Sequence, residues 1–159
     1  MFEIGDRIVH PLHGAGVIED IVERTIDGAP ALYYALRPFF GDTQLFLPVA
    51  SCDKLGVRPV CSRARAEALL LGPRRAASGE SKGWNQRYRE NMLHLRSGKP
   101  EEVVLVIGSL AARERARGLS TGEKKMLLSA SQILASELAA ALDMAPEAAL
   151  RLVREKVWE

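Results

Sequence analysis

Val22-Glu23-Arg24-Thr25-Ile26-Asp27-Gly28-Ala29-Pro30-Ala31-Leu32-Tyr33-Tyr34-Ala35-Leu36 is the stretch from which the fold of the N-terminal half can be read. Aspartate and glycine tolerate the positive φ of a tight two-residue turn, so Asp27-Gly28 between two β-rich runs predicts a hairpin. Working outward, Asp6-Arg7-Ile8-Val9-His10 is a short alternating run stopped by Pro11, and Gly14-Ala15-Gly16 punctuates before residues 17–24. On the other side a Gly41-Asp42 turn leads to Gln44-Leu45-Phe46-Leu47, stopped by Pro48, and residues 56–60 read as a last strand. Five short strands at this spacing predict a small, bent antiparallel sheet or barrel, closure being one way to remove unpaired edges.

From Ser62 the hydrophobic period changes to that of helices. Residues 63–71 form a short helix ended by Gly72-Pro73, residues 74–83 read as a linker carrying Arg74 and Arg75, and residues 84–96 have helical composition. Pro100, with Glu101 and Glu102 behind it, suits a helix first turn. That helix places Val103, Val104, Ile107, Leu110 and Ala111 on one face and stops at Gly118. Ser120-Thr121-Gly122-Glu123 has capping-box spacing and opens a helix with Leu127, Ala130, Leu134, Leu138 and Ala141 on one stripe. Pro146 starts a final helix carrying Leu150, Val153 and Val157. The chain is thus expected to be an α+β protein of two domains, a β module followed by a compact helical bundle.

Charge is divided unevenly. The 159 residues carry a net +2, but residues 1–60 hold 5 Lys/Arg against 8 Asp/Glu, residues 61–99 hold 9 against 3, and residues 100–159 hold 8 against 9. The positive excess therefore centres on Gly83-Trp84-Asn85-Gln86-Arg87-Tyr88-Arg89. Arginines can hold phosphates while a flat ring enters a groove or stacks on a base. The same composition also fits a tryptophan that caps a helical domain beside solvated arginines, and it leaves both readings open.

Enzyme chemistry finds little support. His10-x-x-His13 with Cys52 and Cys61 matches no zinc spacing, and neither a phosphate-binding glycine loop nor a nucleophile elbow is present. No metal and no cofactor is expected. No apolar stretch is long enough to span a membrane, and the first residues lack signal-peptide character. Two cysteines without a framework spacing fit a reducing compartment, so a cytoplasmic protein is expected.

The residues converge on a family. Gly5-Asp6-Arg7-Ile8-Val9-His10-Pro11 followed by His13-Gly14-Ala15-Gly16-Val17 resembles the opening of the CarD/CdnL bacterial transcription regulators. Arg24-Thr25-Ile26-Asp27-Gly28, Leu47-Pro48-Val49 and Leu55-Gly56-Val57-Arg58 resemble its later strand signatures. Trp84 to Arg89, Ser97-Gly98, and Arg117-Gly118-Leu119-Ser120-Thr121-Gly122-Glu123-Lys124-Lys125-Met126-Leu127 resemble its helical domain. The order and spacing of these pieces carry the resemblance nearly end to end.

The resemblance implies a Tudor-like barrel over residues 1–60 that binds the RNA polymerase β subunit, a short helix and basic linker over 61–83, and a helical DNA-binding domain over 84–159. It implies that Trp84 wedges into the minor groove of promoter DNA at the upstream edge of the melting bubble, with Arg87 and Arg89 on the backbone. Arg24, Phe46 and Pro48 match the polymerase-facing positions. Phe46 stands where Arg or Met is common, which suggests an apolar contact, and Gln86 replaces an arginine common there. The resemblance further implies a monomer that works at the nucleoid and stabilises the open complex without catalysis. Two rivals stand beside it: a protein-only adaptor whose two domains both bind protein partners, and an enzyme built on His10, His13 and the cysteines.

Overall fold

The computed structural model describes residues 1–71 and 83–159. The linker expected at 74–83, the Gly72-Pro73 stop, and Arg74, Arg75 and Lys82 lie outside the described residues, apart from Gly83.

Five strands form one antiparallel sheet: β1 (Arg7–His10), β2 (Gly14–Ile26), β3 (Ala29–Pro38), β4 (Leu45–Pro48) and β5 (Arg58–Pro59), in the order β4-β3-β2-β1-β5. The β2–β3 hairpin closes on the pair Ile26↔Ala29 around Asp27 (φ 53°) and Gly28 (φ 79°), the two positive-φ positions its sequence predicted. Its register shifts once, between Ile18 and Asp20, where a bulge bends the strand.

The sheet is open. Its edges β4 and β5 do not pair with each other, so the expected closure into a barrel is not what the described residues form. The reason is local. Val49–Ser51 and α1 (Cys52–Leu55) continue the chain as helical turns, and Gly56 (φ 81°) ends them, leaving β5 two residues long with Pro59 unable to donate. One sheet face covers Ile8, Ile18, Tyr34, Leu36, Leu47, Cys52 and Val57. The Tyr34 hydroxyl is satisfied there by the Phe2 amide, at 2.8 Å.

Five longer helices follow: α2 (Arg63–Leu71), α3 (Trp84–Arg96), α4 (Pro100–Ala116), α5 (Thr121–Leu142) and α6 (Pro146–Lys156). α5 is the axis of the bundle and begins with the predicted capping box between Ser120 and Glu123. The apolar faces expected of α4 and α5 are buried: Val103, Val104, Ile107, Leu110 and Ala111 pack with Leu127, Ala130, Leu134 and Leu138. Helix α2, read from the sequence as part of the connector, adds Ala66 and Leu69 to that same core. The other side of α5 meets the sheet, where Ala140 joins Val9 and Ala15.

Candidate functional site

Residues directly opposite in an antiparallel pair share a face. The pairs Arg24↔Ala31, Tyr33↔Pro48 and Ala35↔Phe46 therefore set Arg24, Phe46 and Pro48 on the face opposite Tyr34 and Leu47. Arg24 reaches across β3 and stacks its guanidinium over the Phe46 ring, 4.2 Å from the centroid. Phe46 is 38% exposed. Arg24 thus shares one face with Phe46 and Pro48, which follow it by 22 and 24 positions.

The two tryptophans sit in contrasting environments. Trp158 is half-buried beside the bundle core, and its indole donates to Ser131 Oγ at 3.0 Å. Trp84 is the first residue of α3, introduced by an extended Gly83, and is 54% exposed. Arg89, five positions on and so about 140° round the helix from Trp84, is exposed, and Arg89, Leu93 and Arg96 follow each other at helical spacing on the outer surface. Arg87 points the other way. Its Nε donates to Glu123 Oε2 at 3.1 Å and its Nη2 to Oε1 at 3.0 Å. Burial pulls the Glu123 carboxyl upward, but hydrogen bonds from Arg87 and Ser120 outweigh it and hold the group below the usual range. The pairing joins the first turns of α3 and α5, and so brings exposed Lys124 and Lys125 to the tryptophan-bearing end of the bundle. Sequence reading did not select these two lysines. Their only signal was a Lys-Lys pair beside a capping box.

Residues 2–61 match the family model described as the CarD-like/TRCF RID domain, and residues 70–154 match the CarD C-terminal domain. The chain belongs to the CarD/CdnL family. It is 32% identical over 138 residues to "Putative transcription factor YdeB" of Bacillus subtilis (strain 168), an alignment covering 87% of this chain and 90% of that protein.

In this CarD/CdnL protein the sheet and the bundle are clasped along α5. Arg58, from β5, donates to both oxygens of the Glu137 carboxylate, at 2.6 and 2.8 Å, and to the Gly98 carbonyl in the α3–α4 turn at 2.5 Å. Glu137 also accepts the Cys61 amide at 2.9 Å. One residue back, Ser136 Oγ accepts the Ala15 amide at 2.8 Å, and one turn on, the Ala140 carbonyl accepts from Arg7 at 2.8 Å. Consecutive turns of one helix thus hold β5, β2 and β1.

His10 and Cys52 are buried, Cys61 is partly buried beside Glu137, and His13 is exposed. The His10 and His13 rings lie 4.5 Å apart, and His10 Nδ1 accepts the Leu12 amide at 3.1 Å. Burial first, and His13 second, lower the His10 pKa to about 4. Burial and the neighbouring Glu137 push the Cys61 thiol up to about 12, so it is protonated at neutral pH and a poor nucleophile. Among the described residues no group of three or more His, Cys, Asp or Glu side chains is placed to hold a metal. No described helix is long and apolar enough to cross a membrane.

Proposed function

We propose that this protein, a CarD-like transcription factor by family, docks on the β subunit of bacterial RNA polymerase through the Arg24–Phe46–Pro48 face. From there it presents Trp84 to promoter DNA at the upstream edge of the melting bubble, in the manner its family resemblance implies. The RNA polymerase side rests on the match of residues 2–61 to the CarD-like/TRCF RID domain and on an exposed aromatic with a stacked arginine beside it. Aromatic and arginine residues of this kind are typical anchors of protein interfaces.

The observation that carries the DNA side is the exposure of Trp84 at the tip of α3, against the half-buried, hydrogen-bonded Trp158. A large indole held in water is unfavourable unless a partner covers it. A partly unstacked base step accepts such a wedge, and Arg89, Lys124 and Lys125 supply positive charge around it for the adjoining phosphates. An apolar wedge reads little sequence, so promoter choice falls to the polymerase and to DNA shape. Because only differential affinity moves an equilibrium, the wedge favours the open complex by binding it better than closed duplex.

Replacing Trp84 with Ala is expected to shorten open-complex lifetime on a responsive promoter by roughly tenfold, equivalent to about 1.4 kcal/mol of selective binding. Retention of polymerase binding in the same variant separates the two contacts. An unchanged lifetime would instead favour the protein-only adaptor, whose helical domain meets a protein and not DNA.

A further inference from the structure

We infer that Glu123, through Arg87, is the positioning residue that aims Trp84, and that Arg87 itself makes no phosphate contact. This rests on the DNA reading above and assigns a different part to one of its two arginines. Trp84 and Arg87 are three positions apart on α3, so they lie one above the other on adjoining turns. Trp84 opens the helix, and its N-cap Gly83 has no side chain to fix the entry angle. Among the described residues, the two-point bond from Arg87 to Glu123 ties that first turn to α5. Glu123 is 1% exposed and is itself held by the capping box, accepting from Ser120 Oγ at 3.0 Å.

A two-point guanidinium–carboxylate bond fixes direction as well as distance, which a single contact does not. Moving Arg87 to a phosphate would strip the buried carboxylate of its counter-charge, and an uncompensated buried charge costs more than one solvent-exposed phosphate contact returns. Arg87 therefore stays on Glu123 when DNA arrives. Arg89, exposed and without an ion pair among the described residues, is the arginine placed for the backbone.

The sign of one substitution separates this inference from simple electrostatics. Glu123→Gln removes a negative charge near DNA, so electrostatics alone would lengthen the open-complex lifetime. Glutamine keeps a capping-box acceptor, and the bundle should fold. If Glu123 aims Trp84, E123Q shortens the lifetime on polymerase holoenzyme and promoter DNA by a fold-change approaching that of Trp84→Ala. An unchanged or lengthened lifetime overturns the inference. The double variant Arg87→Met/Glu123→Gln leaves no charge buried. Its salt slope for holoenzyme-dependent DNA binding should equal that of the unsubstituted protein, whereas Arg89→Ala should lower it by about 0.9. A drop of that size in the double variant overturns the inference.

A third readout needs no DNA. With both tryptophans labelled as 5-fluorotryptophan, E123Q should move or broaden the Trp84 fluorine resonance and leave that of Trp158 in place. A Trp84 signal that does not respond, or a response shared equally with Trp158, counts against the inference. If Trp84→Ala has no effect on lifetime while the fluorine response is selective, the wedge reading has failed and the positioning contact stands.

Discussion

Arg58 and Glu137, 79 residues apart, form a two-point ion pair that joins the last strand of the sheet to the central helix of the bundle. The Glu137 side chain is 3% exposed, so removing its partner would strand a charge in the interior. Arg58→Met alone is expected to lower unfolding stability by about 3 kcal/mol or more. In Arg58→Met/Glu137→Gln no charge is stranded, and glutamine can still accept the Cys61 amide that Glu137 accepts now. That double variant should regain most of the loss. Urea denaturation of the single and double variants measures the difference, and equal midpoints for the two would show that the pair is not a buried unit.

The same seam explains Gly14. Its φ is +82°, and a Cβ there would meet Ser136 Oγ at 2.6 Å. That hydroxyl cannot retreat freely, because it accepts the Ala15 amide and donates to the Ile133 carbonyl. Gly14→Ala should therefore cost about 1–2 kcal/mol for the left-handed backbone, with the clash added. A thermal midpoint lowered by at least roughly 3 °C is expected for a chain of this size. A melt that overlays the parent would mean that the strand and α5 can separate without penalty.

His10 makes stability depend on pH. Burial and His13 hold its folded-state pKa at about 4, while an unfolded histidine titrates near about 6.5. Between these values the unfolded chain binds the proton and the folded chain does not, so stability is complete above about pH 6.5 and falls as pH drops toward 4. His10→Asn can still accept the Leu12 amide but does not titrate in that window. Its unfolding free energy should be flatter across the window than the parent's, and parallel profiles would remove His10 as the cause.

How much of this was legible in the sequence follows from how local each signal is. The Asp27-Gly28 turn, the Ser120–Glu123 capping box and the starts at Pro100 and Pro146 depend on a few neighbouring residues, and each predicted feature is present. The short helix Cys52–Leu55 was missed because four residues carry no periodicity, and strand spacing alone left an open sheet and a closed barrel equally possible. Arg24, Phe46 and Pro48 came from resemblance, and only strand register put them on one face. Arg87 shows the limit most clearly. Its place beside Trp84 suggests a phosphate contact, but its pairing with Glu123, 36 residues away and with an adequate local role of its own, is not visible there. Nothing in either neighbourhood announces the pair.

The Arg24–Phe46 stack offers a test of the polymerase contact that folding does not confuse. A cation–π pair at an exposed site contributes about 0.5–1 kcal/mol, and Phe46 stands outside the sheet's core cluster. Phe46→Ala should therefore lower the melting temperature by only about a few degrees and leave the protein folded. If this face meets the β subunit, the same substitution should weaken holoenzyme binding by tenfold or more, the loss of roughly 1.4 kcal/mol expected of an aromatic anchor. Its defect in open-complex lifetime should then vanish at saturating protein, because Trp84 is intact and only delivery is impaired. Trp84→Ala should show the reverse, with normal binding and a defect that no concentration repairs. Holoenzyme titrations with both variants read the two patterns directly. A Phe46→Ala protein that binds normally would move the docking surface away from this face of the sheet.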